Sequence, residues 1–261
     1  MVTTDFHMHT TFCDGHSSPE EMVLSAINKG LGTVGLSGHS YTWFDESYCM
    51  KKQEIPAYVA EVTRLKQAYA GKINILCGVE QDYYSDEPTA GFDYVIGSVH
   101  YLKFGDEFMP VDEGNENHRR AAAKYFGGDM YALAEAYYQT VGDVVQKTNC
   151  DIIGHFDIIT KYYDNDPELD VNHPRYRAAW QAAADRLIKT GVPFEMNTGA
   201  ISRGVRQKPY PSEEILAYLA ERNAPVILSS DAHHADYIAF QFDQCEATAK
   251  ELGVKLVSLA K

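Results

Sequence analysis

The sequence has no run of apolar residues near the roughly 20 that a membrane-spanning helix needs. It also begins without the basic region and apolar core of a secretory signal. Its five cysteines are odd in number and widely scattered, with no Cys-x-x-Cys pair. That pattern is typical of free thiols in a reducing compartment rather than of a disulfide framework. We therefore expect a cytoplasmic protein that has no membrane partner.

Positive charge is also scarce. Lysine and arginine total 23 against 37 acidic residues, and the formal net charge is −14. Binding to nucleic acid depends on Lys and Arg side chains that neutralise phosphates, and the sequence has no basic run. Nucleic acid is therefore not an expected partner. A small anionic substrate would need a local source of positive charge, which bound cations can supply. The oligomeric state is left open.

Short apolar runs alternate with helical segments along the chain, a pattern typical of a parallel sheet covered by helices. We predict helices near residues 19–29, 54–70, 129–148, 174–190, 212–223 and 236–252. The predicted strands are Val2–His7, Thr33–Leu36, Ile73–Val79, Tyr94–Val99, Asp151–Ile153, Val192–Met196 and Pro225–Leu228. About seven such units favour a barrel over an open sheet. The polar stretch Lys103–Gly128 fits no unit, and we predict an active-site loop there.

Seven of the ten histidines lie at or just past the predicted carboxyl ends of strands. They are His7, His9, His16, His39, His100, His155 and His233, and Glu80 and Asp231 occupy equivalent positions. Because barrel enzymes build their active sites at this rim, we expect these side chains to converge. The spacing of His7 and His9 also places both imidazoles on one face of an extended segment. We predict that the other three, His118, His173 and His234, are ordinary surface residues.

Nine candidate ligands are too many for one catalytic zinc, which takes about three protein ligands. They suffice for two or three divalent ions if a carboxylate bridges. An imidazole-rich set without thiolate suits Zn²⁺, Mn²⁺ or Fe²⁺. Such ions make hydroxide available at neutral pH and balance the charge of a phosphate monoester. The sequence therefore predicts metal-dependent hydrolysis of a small phosphorylated substrate.

Six motifs span essentially the whole chain: DFHMHTTFCDGH, GLSGH, GVEQD, DYVIGSVH, DIIGHFD and SSDAHH. In this order they resemble the polymerase-and-histidinol-phosphatase (PHP) family. The resemblance implies a distorted (β/α)7 TIM-like barrel and a single PHP-type phosphoesterase domain over residues 1–261. By motif position, it implies a first ion held by His7, His9, Glu80 and Asp231, a second by Glu80, His100 and His155, and a third by His16, His39 and His233. Glu80 would then bridge two ions.

Within this family the chain most resembles the stand-alone histidinol-phosphate phosphatases. That resemblance implies hydrolysis of L-histidinol phosphate, in histidine biosynthesis, by a metal-bridging hydroxide through which Glu80 and Asp231 act. In the segment Phe194–Gly204, Arg203 would bind the substrate phosphate. Lys161 would make a second contact, at a position where some relatives carry arginine. Asp157 is a candidate general acid.

Other readings stay open at this stage. The ligand set recognises a phosphoryl group, so a PHP-type phosphoesterase acting on a nucleotide, a sugar phosphate or phosphotyrosine fits equally well. A non-catalytic metal-binding module, like the PHP domains attached to polymerases, is a further alternative. The aromatic residues Tyr41, Trp43, Phe44, Tyr83 and Tyr84 follow ligand-bearing strands, and they are candidates for lining a substrate pocket.

Overall fold

A computed structural model describes residues 2–164 and 169–259 of the chain. Its described residues form ten strands: β1 (Thr4–Asp5), β2 (Thr33–Leu36), β3 (Asn74–Asp82), β4 (Tyr94–Ser98), β5 (Tyr101–Phe104), β6 (Glu107–Pro110), β7 (Ile152–Ile153), β8 (Phe194–Asn197), β9 (Pro225–Ser229) and β10 (Lys255–Leu256). Eight of them make one parallel sheet in the order β1-β2-β3-β4-β7-β8-β9-β10, while β5 and β6 pair as an antiparallel hairpin.

The sheet curls so that its two ends approach each other. Beyond β1, Met8 pairs with Ala232, which follows β9, and the His9 amide donates to the Ala232 carbonyl at 2.8 Å. This arrangement confirms the predicted TIM-like α/β architecture. The sheet also gains an eighth strand that was not predicted, because Lys255–Leu256 adds to the outer edge of β9 at its amino-terminal end.

Apolar side chains fill the interior of the curled sheet. Phe6, Tyr94, Ile96, Ile152 and Ile227 are buried together there with Leu76. The Tyr94 ring reaches this position because Gly78 has no side chain, since a Cβ at that residue would lie 2.2 Å from Tyr94 Cζ. The near-continuous burial of β3 and β4 is what a parallel sheet covered on both faces requires.

Helices cover the outside of the sheet. Their bounds are α1 (Pro19–Asn28), α2 (Ile55–Ala68), α3 (Asn115–Phe126), α4 (Met130–Val141), α5 (Val144–Thr148), α6 (Pro174–Ile188), α7 (Gly199–Ser202), α8 (Glu213–Glu221) and α9 (Phe242–Leu252). Helix α1 begins as its sequence predicts. Ser18 caps it by accepting the Glu21 amide, Glu21 accepts the Ser18 amide in return, and Pro19 occupies the first turn. None of the described helices has the length and apolar character needed to cross a bilayer.

The predicted active-site loop at Lys103–Gly128 is only partly correct, because Asp112 and Glu113 line the cavity at the carboxyl rim but most of the stretch is regular structure. It contains the end of β5, the whole of β6 and the whole of α3, which packs on α4. Helix α3 is polar on one side and buries small residues, Ala121 and Ala122, on the other, so its apolar periodicity is weak. The predicted helix 129–148 is also interrupted, because α4 ends before Gly142 and α5 begins at Val144.

Candidate metal centre

The predicted ligands arrive at the carboxyl rim from separate strands. His7 and His9 follow β1, His39 follows β2, Glu80 lies in β3, His100 follows β4, His155 follows β7, and Asp231 and His233 follow β9. All of these except His233 are buried. The convergence of residues more than 200 positions apart follows from the parallel topology, which places every carboxyl end on the same side.

Glu80 lies at the centre of this group. Its two carboxylate oxygens face five imidazoles, with N···O distances of 2.9 Å to His39 and His155, 3.2 Å to His7, 3.4 Å to His100 and 3.5 Å to His9. The Ser98 hydroxyl also donates to one oxygen at 2.6 Å. Burial alone would raise the pKa of Glu80, but the surrounding imidazoles hold it well below its ordinary value. The Glu80 carboxylate is therefore ionised, and each of its two oxygens faces imidazoles.

A second group of donors lies beside the first. The carboxylate of Asp14 is 3.2 Å from His233, 3.6 Å from His9 and 3.7 Å from His39. These four residues have donor atoms close enough together to hold an ion. Burial and the imidazoles of His233 and His39 lower the pKa of His9 to about 3, which leaves its ring neutral. Neutral imidazole is the form that binds metals.

His16 does not enter either group. Its side chain is exposed at the wall of the cavity, while its backbone amide donates to the His233 carbonyl at 2.7 Å. The family resemblance implies His16 as a partner of His39 and His233, whereas the described geometry brings Asp14 to that position. The loop turns so that Asp14 lies among the imidazoles, while His16 is exposed at the cavity wall.

Asp231 is held in an uncommon backbone conformation, with φ of 49°. One of its carboxylate oxygens lies 3.2 Å from His9 and 3.8 Å from His7, so it faces the Glu80 group. The other oxygen approaches Gly199, where a Cβ would lie only 2.6 Å away. A glycine is therefore required at the start of α7 for Asp231 to occupy this position.

Several unpaired atoms fit a bound cation. His7 Nε2, His9 Nε2, Glu80 Oε2 and Asp14 Oδ1 are buried and have no hydrogen-bond partner within residues 2–164 and 169–259. Buried polar atoms of this kind normally have partners. Here they point into the space between the strand ends, and they are the donor types that divalent transition metals prefer. The residues therefore suit metal ions.

Two outer carboxylates hold candidate ligands from behind, and the sequence analysis did not identify them. Glu195 Oε1 lies 2.6 Å from His7 Nδ1, and Asp82 Oδ2 lies 3.3 Å from His100 Nδ1. Glu195 belongs to the segment Phe194–Gly204, on which the prediction for Arg203 rests. Asp82 lies two residues after Glu80, on the same face of β3. This spacing of two residues is the feature of the sequence that indicates Asp82 as a further acidic residue at the centre.

The centre opens into a cavity of about 770 Å³. Lys161 lies in its wall and pairs with Asp112 at 3.0 Å. Arg203 also lines the cavity, 2.9 Å from His233 Nδ1 and 3.2 Å from Asp231 Oδ2. Both predicted phosphate-binding residues therefore reach the cavity, and each is already engaged by a neighbouring side chain.

Other predicted residues do not line this cavity. Asp157 accepts the Ser212 amide at 3.0 Å behind the wall, so the candidate general acid is not brought to the site. The five expected aromatic residues are also absent from its lining. Aromatic side chains from other positions take their place, namely Tyr48, Tyr101, Tyr162 and Tyr237.

The three remaining histidines differ in their surroundings. His118 is fully buried on α3, and its Nε2 bonds to the Val111 carbonyl at 2.8 Å, so the prediction of a surface residue was wrong. His173 and His234 are partly exposed. They accept backbone amides at the starts of α6 and of a short 3₁₀ turn, respectively. None of the three joins the metal centre.

Comparisons with known proteins agree with this fold. A model of the PHP domain matches residues 5–199. A probable histidinol-phosphatase from Deinococcus radiodurans is 29% identical, with 97% of this chain and 95% of that protein covered. The histidinol-phosphatase of Bacillus subtilis is 22% identical, with 93% and 98% covered. This chain therefore belongs to the PHP domain family.

A solved structure shares the fold. Histidinol phosphate phosphatase from Lactococcus lactis superposes with a TM-score of 0.74 at 22% identity, covering 98% of this chain and 95% of that one. This likeness confirms the fold. The family match and the curated relatives bear out the predicted class, a metal-dependent phosphatase that resembles histidinol-phosphatases.

Proposed function

We propose that this protein hydrolyses L-histidinol phosphate to L-histidinol and phosphate in histidine biosynthesis, using two or three divalent metal ions. The observation that carries the proposal is that Glu80 and seven other predicted ligands, all of the nine except His16, come together at the rim of a PHP-type barrel. Relatives that align along nearly their whole length are named histidinol-phosphatases. The Lactococcus lactis structure was solved with Zn, L-histidinol and phosphate.

The described donors support a division into three ion positions. His7, His9, Glu80 and Asp231 would hold one ion, Glu80, His100 and His155 a second, and His39 and His233 a third, together with Asp14 or His16. Zn²⁺, Mn²⁺ and Fe²⁺ suit this imidazole-rich set. When bound, such ions supply a hydroxide nucleophile at neutral pH and charge that stabilises the oxygens of an in-line displacement.

The cavity residues favour a phosphate monoester. Arg203 presents a planar fork of donors that suits phosphate oxygens. Lys161 adds a second positive charge to the cavity lining. Because both side chains are already engaged by acids or imidazole, they are held in place before the substrate arrives. When the substrate binds, its phosphate oxygens would replace some of these neighbours as hydrogen-bond partners of Arg203 and Lys161.

The cavity also fits a small substrate beyond the phosphate. Its volume of about 770 Å³ lies within the range typical of small-molecule sites. Tyr48, Tyr101, Tyr162 and Tyr237 line it, and their rings can pack against a planar heterocycle such as imidazole. The net charge of −14 makes a nucleic-acid substrate unsuitable.

The test is phosphate release by purified, metal-loaded protein from a panel of monoesters. The panel contains L-histidinol phosphate, a nucleoside monophosphate, a sugar phosphate and phosphotyrosine. We expect a clear preference for L-histidinol phosphate that disappears after chelation and returns on adding Zn²⁺ or Mn²⁺. Equal rates on all four esters would exclude the specific substrate and leave a general phosphoesterase. An absence of metal-dependent turnover on any ester would exclude the enzymatic function.

A further inference from the structure

Glu195 is a fully buried carboxylate that lies outside the predicted ligand set. It sits in β8 between the strand ends that deliver His7 and His155. Its Oε1 lies 2.6 Å from His7 Nδ1, and its Oε2 accepts the His155 amide and the Asn197 side-chain amide, both at 2.9 Å. It does not line the cavity, so a substrate there would not touch it.

The contact with His7 determines which ring nitrogen faces the centre. A neutral imidazole has one N–H, and a carboxylate beside Nδ1 favours the tautomer in which Nδ1–H donates a hydrogen bond to it. The lone pair is then on Nε2, which lies 3.2 Å from Glu80 and 3.8 Å from Asp231. Outer carboxylates commonly orient metal-binding histidines in this way.

The second oxygen of Glu195 acts on another strand. By accepting the His155 amide, it fixes the backbone of a residue whose Nε2 lies 2.9 Å from Glu80. One carboxylate therefore connects two imidazoles that approach Glu80 from different strands. His7 and His155 have ring centroids 6.0 Å apart, and Glu195 contacts both residues from behind.

We propose that Glu195 is a positioning residue. It holds His7 in the tautomer that presents Nε2 to a metal ion, and it fixes the spacing between His7 and His155. This inference rests on the proposed metal-dependent function. It concerns metal binding, so it can be tested without any substrate.

Glutamine cannot replace Glu195 in this role. The carboxylate accepts three donors, whereas a glutamine amide has one acceptor oxygen and an NH₂ group that donates. If the oxygen faced the His155 amide, the NH₂ group would face His7 Nδ1 and favour the tautomer with Nε2 protonated. That tautomer cannot bind a metal through Nε2.

The experiment measures Zn²⁺ affinity of metal-stripped wild-type protein, Glu195→Gln and Glu195→Asp by competition with a fluorescent chelator. We expect Glu195→Gln to bind Zn²⁺ about 10- to 100-fold more weakly, the range typical of such outer groups. Glu195→Asp keeps the charge but shortens the side chain by one methylene. It should therefore lose the His7 contact and weaken binding by about tenfold, and it serves if the glutamine variant fails to fold.

Asp151→Asn is the matched control. It also changes a carboxylate into an amide, and Asp151 accepts the Val95 amide at 2.9 Å at the opposite end of β7. Thermal unfolding of the stripped proteins measures structural damage separately. If Glu195→Gln and Asp151→Asn both lower the melting temperature but keep wild-type Zn²⁺ affinity, Glu195 is only structural and the proposal is wrong. If wild-type protein binds no Zn²⁺, both the proposed metal-dependent function and the proposed role of Glu195 are wrong.

Discussion

Replacing Glu80 by glutamine removes a negative charge from the point where five imidazoles meet. The N···O distances are 2.9–3.5 Å, so ions bound there would lie within a few ångströms of the carboxylate. Two unit charges 4 Å apart attract by about 4 kcal/mol at an effective dielectric constant of about 20. A loss of that size in the transition state corresponds to a fall in kcat of about 10³-fold. We therefore expect Glu80→Gln to lose about that much turnover and at least part of its bound metal.

The assay combines steady-state phosphate release with metal analysis of the same sample after gel filtration. Glu221→Gln is the control, because that side chain is 75% exposed and far from the rim, and it should match wild type. His233→Ala should lose less activity than Glu80→Gln, since His233 faces only one of the two donor groups. Near-full turnover and metal content in Glu80→Gln would show that Glu80 does not bridge the ions.

Three further predictions concern the cavity wall. Arg203→Lys should lower kcat/KM by roughly 10- to 100-fold in steady-state assays, because a charged hydrogen bond is worth about 1.5–3 kcal/mol. The control Arg206→Lys lies outside the cavity lining and should change kcat/KM little. Equal effects of the two substitutions would exclude a contact between Arg203 and the phosphate. Asp14→Asn should reduce bound metal more than His16→Asn does, and the reverse order would favour the pattern that the family resemblance implies. Burial raises the pKa of Asp112, but the nearby Lys161 outweighs this effect and the pKa falls from 3.8 to about 2. Its ionised form therefore stabilises the fold above about pH 4, so Asp112→Asn should lose about 2 kcal/mol of unfolding free energy at pH 7. That difference should shrink as the pH falls from about 4 to 2 in urea titrations, and a pH-independent difference would contradict the ion pair.

The barrel and most of the candidate site could be predicted because their signals are local in the sequence. The strand Thr33–Leu36 has the predicted bounds, and His39 lies three residues after its end. Each ligand position comes near the end of such a strand. The parallel topology then brings these ends together without any further information.

Other features depend on contacts that no local pattern reveals. Glu195 reaches His7 across 188 positions of sequence, so its role as a partner appears only when the curled sheet brings the carboxyl ends of β1 and β8 to the same rim. Asp14 and His16 are two residues apart in one turn, and the backbone path decides which points inward. The burial of His118 was not predicted, because α3 is polar around most of its surface and buries only one narrow face.

The most direct test of the central claim is the ratio of kcat/KM values for L-histidinol phosphate and a simple alkyl phosphate, measured with metal-loaded protein. A site that binds the amine and imidazole as well as the phosphate should give a ratio of roughly 100-fold or more. The metal-stripped protein should release no phosphate from either ester. A ratio near one, or equal turnover before and after chelation, would contradict a metal-dependent histidinol-phosphate phosphatase.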